Sequence, residues 1–370
     1  MGRLSKNPRL TGLKSIGNGC SVPALRLDPR MAGPVSALAE DRRLFTNEPG
    51  RSAARSKQPR PACLERDGSA GRFAILSYSV LLVPNKSGEI CKRCWNKEPV
   101  KLESYKLMPV DPSATVATTA RVHPSAQIGP QAMIGEYVIV EEDVVIGAAC
   151  RLEPHVYVKR WTTLGDHNEI SAGTVLGTDP LDKNFSGERS YLRIGNRNII
   201  REHYTISRGT QPESITEIGD GNYIMTAGHI AHNCKIGNNC VIASCALVAG
   251  HVEVEDQAFI SGGVVIHQFS KIGKLAMIGG NSRVNSDVPP FFLYSDFNVA
   301  PKGLNLVGLR RAGFTKQEID ALKTAYRMLY RSGLKLEEAL RRIEGQLSTS
   351  HTQHLVSFIR ASKRGICRPT

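Results

Sequence analysis

A six-residue hydrophobic repeat runs through the middle of this chain. An aliphatic residue recurs at every sixth position over residues 122–176, returns in the same phase over 194–206, and continues over 218–284. A small or β-branched residue stands four positions after most of these, as at Ala126 and Cys150. A period of six fits neither the 3.6 residues of an α-helix nor the alternation of a strand, so it predicts a solenoid of stacked repeats.

Each hexapeptide is expected to form one short strand and one corner of a parallel β-helix. The aliphatic residue points inward and the small residue fits where the walls converge. The glycine that often follows the aliphatic residue, as at Gly129 and Gly237, is expected to allow unusual backbone angles at the bend. Three hexapeptides make one triangular coil of roughly 18 residues, and stacking buries what no single repeat could. Residues 178–192 and 209–216 break the pattern and are expected to be loops that carry function.

The regions on either side of the repeat have different patterns. Residues 1–115 are rich in Arg, Pro, Ser and Gly without a sustained period, which predicts a disordered extension. The first 27 residues contain five basic and no acidic side chains, which is typical of an organelle transit peptide; a basic tail is the alternative. We expect the mitochondrion before the plastid or cytoplasm. The solenoid is expected over 116–290 and a small α-helical domain over 291–370, where Thr315 opens a capping box.

Composition and charge restrict the class of protein. The 370 residues are 41% hydrophobic but only 6% aromatic, which suits a core of aliphatic and small side chains. The formal net charge of +14 predicts an acidic partner, with nucleic acid, anionic lipid, nucleotide and acyl carrier protein all left open. Nine irregularly spaced cysteines do not form a disulfide framework. The longest apolar stretch, residues 73–83, is too short to span a membrane.

Four histidines are expected to converge on one edge of the solenoid. His232, His251 and His267 are separated by 19 and 16 positions, close to one coil each, and His229 precedes His232 by three. An imidazole suits a general base that removes a proton from a hydroxyl. A zinc site like that of gamma-class carbonic anhydrases is the rival, but their His-x4-His pair is absent, so no metal ligand is predicted. A purely structural β-helix would not need this cluster.

Several motifs together resemble the UDP-N-acetylglucosamine O-acyltransferase family. They are residues 229–234, 249–252, 265–269, 287–290 and 303–314, within a match that covers about residues 120–367. The resemblance implies a homotrimer of left-handed β-helices with active sites between subunits, no cofactor and no nucleic-acid partner. It also implies transfer of an (R)-3-hydroxyacyl group from acyl carrier protein to the 3-hydroxyl of UDP-N-acetylglucosamine, the first step of lipid A biosynthesis.

The resemblance further implies roles for individual residues. His232 matches the general base, and Gly250 matches the backbone N–H that stabilises the oxyanion. The positions that match substrate-binding residues are His229, Asp182, His251, His267, Gln268, Asn305, Arg310 and Arg311. Gly280 matches the position whose side-chain size limits acyl length, so a long acyl chain is expected.

Some features bear on substrate and partner. The positions that depart from the family pattern are Asn233 for Asp, Leu181 for Gln, Val307 for Glu and Ala312 for Arg. They affect the expected sugar nucleotide more than the reaction type. The sister N-acyltransferase, which is the alternative, carries a folded uridine-binding domain that residues 1–115 do not resemble. Basic residues on the C-terminal helices, including Lys323 and Arg327, predict a docking site for acyl carrier protein.

Overall fold

A computed structural model describes residues 109–369, which form a parallel β-helix followed by four α-helices. In chain order the strands are β1 (Thr115–Val116), β2 (Arg121–Val122), β3 (Gln127–Ile128), β4 (Met133–Ile134), β5 (Ile139–Val140), β6 (Val145–Ile146), β7 (Arg151–Leu152), β8 (Tyr157–Val158), β9 (Thr162–Leu164), β10 (Glu169–Ile170), β11 (Val175–Thr178), β12 (Tyr191–Ile194), β13 (Ile199–Ile200), β14 (Thr205–Ser207), β15 (Ile215–Ile218), β16 (Tyr223–Ile224), β17 (His229–Ile230), β18 (Lys235–Ile236), β19 (Val241–Ile242), β20 (Leu247–Val248), β21 (Glu253–Val254), β22 (Phe259–Ile260), β23 (Val265–Ile266), β24 (Lys271–Ile272), β25 (Met277–Ile278), β26 (Arg283–Val284), β27 (Phe292–Ser295) and β28 (Ala300–Leu304). The helices are α1 (Leu306–Arg311), α2 (Lys316–Tyr330), α3 (Leu336–Gln346) and α4 (Ser350–Ala361). The expected transit peptide and most of the expected disordered extension lie outside the described residues.

The strands form three sheets, one for each wall of a triangular prism. Sheet I has the order β1-β4-β7-β10-β13-β16-β19-β22-β25-β27-β28, sheet II has β2-β5-β8-β11-β14-β17-β20-β23-β26, and sheet III has β24-β21-β18-β15-β12-β9-β6-β3. Every third strand therefore pairs in parallel with the one a full coil away. The solenoid is a left-handed parallel β-helix, as the sequence resemblance implied.

The repeated aliphatic side chains fill the interior of the prism. Ile146, Ile242 and Ile260 are at most 1% exposed, and the small residues four positions later are buried beside them. Each such side chain stabilises the fold by about 1.5–3 kcal/mol. The thiols of Cys150, Cys234 and Cys240 are free and buried, so these cysteines fill the core as expected.

The expected reason for the glycines after the aliphatic residues is wrong. The left-handed backbone region is occupied by the residue three positions after the aliphatic one, as at Asn233 (φ 59°) and His251 (φ 59°), and Gly129 and Gly237 are not in it. These two glycines are required for space instead. A Cβ at Gly129 would lie 2.8 Å from the backbone of Gly147 in the next coil, so only hydrogen fits between the coils.

Polar ladders close the corner between sheets III and I. The turn N–H groups of Asp166, Asn196 and Asp220 each donate to a side-chain oxygen one coil further on, at 2.7–2.8 Å. A second, buried ladder runs through Asn168 and Asn198, whose amides are hydrogen-bonded at 3.0 Å. This corner is therefore saturated with internal hydrogen bonds and offers few free groups.

The two interruptions of the repeat lengthen two successive coils. Equivalent positions are usually 18 residues apart, but they are 30 apart across the first interruption and 24 apart across the second. Strand pairing continues regardless, because Val175 pairs with Thr205 and Thr205 pairs with His229. The extra residues are therefore loops outside an unbroken prism.

The C-terminal region begins as an extension of the solenoid. β27 still pairs with β25 in sheet I and turns back through β28 before α1 begins, so β structure continues past residue 290. At the other end, Val110 bridges Ile128, ahead of residue 116. The predicted Thr315 capping box is present at the start of α2. No helix within residues 109–369 is long and apolar enough to cross a membrane.

We expect Tyr204→Phe to raise the thermal unfolding midpoint. The Tyr204 hydroxyl is fully buried and has no hydrogen-bond partner among residues 109–369, and such an unpaired group costs about 1–3 kcal/mol. Tyr294→Phe is the matched control, because that buried hydroxyl donates to Pro289 O at 2.9 Å and its removal should lower the midpoint. An equal fall in both variants would contradict the assignment.

Candidate active site

The predicted histidines lie at the corner of the prism between sheets II and III, here called the histidine corner: residues 231–234, 249–252 and 267–270. The register of β17, β20 and β23 makes His232, Gly250 and Gln268 equivalent turn positions in successive coils. Asn233, His251 and Phe269 occupy the next position. The corner thus stacks polar and aromatic groups at the repeat distance of the sheet, about 4.8 Å.

Three hydrogen bonds to one oxygen fix the orientation of His232. Asn233 Oδ1 accepts from the Thr210 N–H at 3.1 Å and from the Thr210 hydroxyl at 2.9 Å, and it lies 3.0 Å from His232 Nδ1. A backbone N–H can only donate, so this atom of Asn233 is the oxygen and His232 Nδ1 must carry the hydrogen. The lone pair of His232 is therefore on Nε2, as a general base requires.

Gly250 lies directly against the His232 ring. A Cβ at this position would come within 2.4 Å of His232 Cε1 and 2.7 Å of Nε2, so any side chain would displace the imidazole. No residue within 109–369 accepts a hydrogen bond from the Gly250 N–H, whereas the equivalent turn N–H at Asp166 is bonded to the next coil. A free N–H on a glycine packed against this ring can stabilise a negative oxygen.

His229 lies on β17, just before the histidine corner. Its Nδ1 is hydrogen-bonded to the Thr205 hydroxyl at 2.7 Å, and its buried Nε2 has no partner among residues 109–369. Burial lowers the pKa of His229, and this outweighs the hydrogen bond to Thr205, which acts in the opposite direction. The uncharged form of His229 is therefore favoured.

His251 is held between two rings. It meets His232 edge-on with centroids 5.3 Å apart and stacks on Phe269 at 4.7 Å. Burial lowers the pKa of His251, as does the nearby His232, while the carboxylate of Asp182 acts against them. His267 belongs to the same corner, but its Nδ1 lies 3.3 Å from the Arg364 guanidinium.

The first interruption forms a loop that brings Asp182 near this corner. Arg208, only 3% exposed, pairs with Asp179 at 2.5 Å and lies over the rings of Trp161 and Phe185. Burial acts to raise the pKa of Asp179, but its contacts with Lys159 and Arg208 outweigh this and hold the pKa below its usual value. The loop is thus anchored at its base, and its exposed tip carries Asp182.

The remaining predicted residues lie elsewhere in the chain. Asn305 is 7% exposed and caps α1, since its Oδ1 accepts from the Gly308 N–H at 3.0 Å and its amide donates to Leu275 O at 2.9 Å. Arg310 and Arg311 are exposed at the end of α1. Gly280 is exposed at the corner between sheets I and II. Within one chain, the predicted site residues therefore do not all lie at the histidine corner.

Sequence reasoning missed Thr210, Thr205 and Arg208. All three lie on β14 or in the loop that follows it. Thr205 meets His229 across paired strands, Arg208 holds the first loop through Asp179, and Thr210 reaches Asn233 from the second interruption. The spacing of 23 residues between Thr210 and Asn233 carries no periodic signal. Within residues 109–369 no three His, Cys, Asp or Glu side chains are arranged to hold a metal ion.

Comparison with known proteins shows which family this sequence resembles. A family model described as Udp N-acetylglucosamine O-acyltransferase, Domain 2, matches residues 287–367, and one described as Bacterial transferase hexapeptide matches residues 215–250. A Gloeothece citriformis protein named acyl-[acyl-carrier-protein]--UDP-N-acetylglucosamine O-acyltransferase is 42% identical over 56% of this chain and 75% of its own length. A protein of the same name from Verminephrobacter eiseniae is 46% identical over 56% of this chain and 81% of its own.

Solved structures give the same result. The UDP-N-acetylglucosamine acyltransferase of Bacteroides fragilis is 35% identical, with a TM-score of 0.67 over 69% of this chain and 100% of its own. The Arabidopsis UDP-N-acetylglucosamine acyltransferase is 35% identical, with a TM-score of 0.60 over 70% of this chain and 99% of its own. The chain therefore belongs to the UDP-N-acetylglucosamine O-acyltransferase family.

Proposed function

We propose that this enzyme transfers an (R)-3-hydroxyacyl chain from acyl carrier protein to the 3-hydroxyl of UDP-N-acetylglucosamine, as the first step of lipid A biosynthesis. The Gloeothece citriformis relative, matched over 75% of its own length, is named acyl-[acyl-carrier-protein]--UDP-N-acetylglucosamine O-acyltransferase. The observation that carries the mechanism is the His232 imidazole, held with its lone pair on Nε2 beside the free N–H of Gly250.

The geometry supports a one-base acyl transfer. His232 Nε2 takes the proton of the sugar 3-hydroxyl as its oxygen attacks the thioester carbon. The carbonyl oxygen becomes an oxyanion that accepts from the Gly250 N–H. Collapse breaks the carbon–sulfur bond, and the proton on His232 passes to the departing thiolate, so no other reactant is consumed. Asn233 is neutral and stabilises the transient imidazolium less than the Asp usual in the family would.

Substrate binding is assigned to the groups around His232. His229 and His251 suit the sugar because both lie close to His232, and Asp182 suits a sugar hydroxyl because its carboxylate lies on the exposed loop near His251. His267 and Gln268 extend the corner toward the nucleotide. Asn305, Arg310 and Arg311 are assigned to the nucleotide or phosphopantetheine from a neighbouring copy, since they lie away from the histidine corner of their own chain.

We also propose that the active unit is a homotrimer. Outward-facing residues of sheet I form an apolar column that includes Tyr223, Val241 and Phe259, and those of sheet II include Leu247 and Val265. Sheet III instead presents alternating charges. Two apolar walls and one charged wall are what a prism in a three-membered ring needs, with each copy burying two faces. Sedimentation equilibrium measures this assembly directly.

The acyl chain is assigned to the apolar surface of sheet II. Leu247 and Val265 are 45% and 42% exposed and lie between the histidine corner and the corner that contains Gly280. A glycine at position 280 leaves this end open, since only Gly262 O lies near where its Cβ would be, at 3.3 Å. A long acyl chain can therefore extend past it.

A basic cavity on the C-terminal helices suits acyl carrier protein. It has a volume of about 710 Å³ and an apolar floor that includes Phe314 and Tyr326. The basic residues at its rim are Arg310, Lys316, Lys323, Arg327 and Arg331. A strongly acidic partner is steered toward such a surface.

We propose that the protein is delivered to the mitochondrion, with the plastid or cytoplasm as the alternatives. It rests on the composition of the first 27 residues, which carry basic side chains and no acidic ones. Import into isolated organelles is the relevant measurement.

Replacement of His232 by Ala should lower kcat by about 10²- to 10⁴-fold with little change in either KM, because proton removal is lost while the binding groups remain. The assay uses UDP-N-acetylglucosamine and hydroxyacyl carrier protein. His123→Ala is the control and should retain wild-type kcat, because this exposed histidine lies between β2 and β3, several coils away from residues 231–270. Equal rates for wild type and His232→Ala would overturn the mechanism.

Donors of graded acyl length test the assignment of Gly280. The wild type should prefer long chains, and Gly280→Met should move the optimum to shorter ones because the new side chain blocks the open end. Gly345→Met, at an exposed position of α3 outside the basic cavity, is the control, since nothing lies within 4 Å of where its Cβ would be. A wild-type preference for short chains would refute the assignment.

Reversal of charge at Lys323 and Arg327 to Glu should raise the KM for the acyl donor about tenfold and leave the KM for the sugar nucleotide unchanged. Lys335→Glu, an exposed lysine at the start of α3 that does not line the cavity, is the control. The difference should shrink at high salt, because exposed charges are screened. An unchanged donor KM would remove the docking proposal.

A further inference from the structure

A second basic cavity adjoins the histidine corner on its sheet III side. It has a volume of about 340 Å³, and its lining includes Asn233 and His251 of the proposed active site. The other lining residues are Lys235, Glu253, Phe269, Lys271, Asp287, Lys363 and Arg364. None of its four basic residues has a role in the mechanism above.

The cavity carries a surplus of positive charge. Its four cations face two carboxylates, and both carboxylates are already engaged. Glu253 pairs with Lys271 at 3.0 Å, and Asp287, only 1% exposed, accepts from the Lys271 N–H at 2.8 Å and the Ser362 hydroxyl at 2.6 Å. Among residues 109–369, Lys235 and Lys363 form no ion pair, so their charges are available to a ligand.

These cations come from two elements that are fixed relative to each other. Lys235 and Lys271 point outward from β18 and β24, in one column with Glu253 between them. The segment after α4 brings the other two and is held by backbone hydrogen bonds between Asp287 and residues 365 and 367, each 2.9 Å. Arg364 also donates to Asn285 O at 3.1 Å. The cavity is therefore formed before any ligand arrives, which reduces the entropy lost on binding.

We propose that this cavity binds a phosphate group of one of the two substrates while the reacting atoms lie at His232. The inference rests on the proposed function, in which both substrates contain phosphate: the diphosphate of the sugar nucleotide and the phosphodiester of phosphopantetheine. Lysine ammonium groups supply point charges and arginine a planar fork, the usual ligands of phosphate oxygens. The stacked rings of His251 and Phe269 form the wall toward the catalytic corner.

Measurements of ligand binding test this cavity independently of the catalytic step. UDP and phosphopantetheine are titrated separately by calorimetry into wild type, Lys235→Gln, Lys363→Gln and the double variant. The double variant should bind one probe about tenfold more weakly or worse, since two charge-assisted hydrogen bonds are lost. The probe whose binding is weakened identifies the substrate whose phosphate the cavity holds. Lys235→Arg keeps the positive charge and should bind that probe more tightly than Lys235→Gln does.

Arg193→Gln is the matched control, because it removes a positive charge from the same column of sheet III outside this cavity and should leave both affinities unchanged. Equal unfolding midpoints exclude a loss of fold. Unchanged affinity of the double variant for both probes would overturn the proposal. Calorimetry measures binding without turnover. Failure of acyl transfer would therefore refute the proposed function, while the binding result would still test the cavity.

Discussion

Hydrogen bonding between successive coils is the constraint on which the rest of the molecule depends. Backbone N–H groups along the strands donate to carbonyl oxygens one coil away, so a residue is fixed by its place in its own hexapeptide and by its neighbours above and below. Two loops of different length leave this register intact. Side chains far apart in sequence are therefore placed at one corner as accurately as paired strands are positioned in a sheet.

The histidine corner uses this accuracy for chemistry. The amide oxygen of Asn233 collects three donors, two of them from Thr210 in the second loop. A loop thrown out by an interruption of the repeat thus fixes the tautomer of a ring on the next coil. Within residues 109–369 the Gly250 N–H has no acceptor, whereas the equivalent turn N–H groups at the corner between sheets III and I donate to side-chain oxygens of the next coil.

The repeat was sufficient to predict the prism, its core and the convergence of the histidines. The repeat gave a wrong reason for the glycines. Gly129 is needed for the close approach of neighbouring coils, whereas the left-handed conformation occurs at a different position of the hexapeptide, as at Asn233. Thr210, Arg208 and the basic cavity had no periodic signature, since their contacts depend on how aperiodic segments fold back. Asn305 was predicted from its motif, which could not reveal that its side chain also caps α1.

The residue three places after each aliphatic position adopts φ near +60°, and at the histidine corner this applies to Asn233, His251 and Phe269. For residues other than glycine this conformation costs about 1 kcal/mol or more. Glycine would relieve that strain and yet remove the amide oxygen and both rings. At this corner the strained backbone conformation is therefore tied to the groups that orient His232 and enclose it, so glycine at these positions would trade activity for stability.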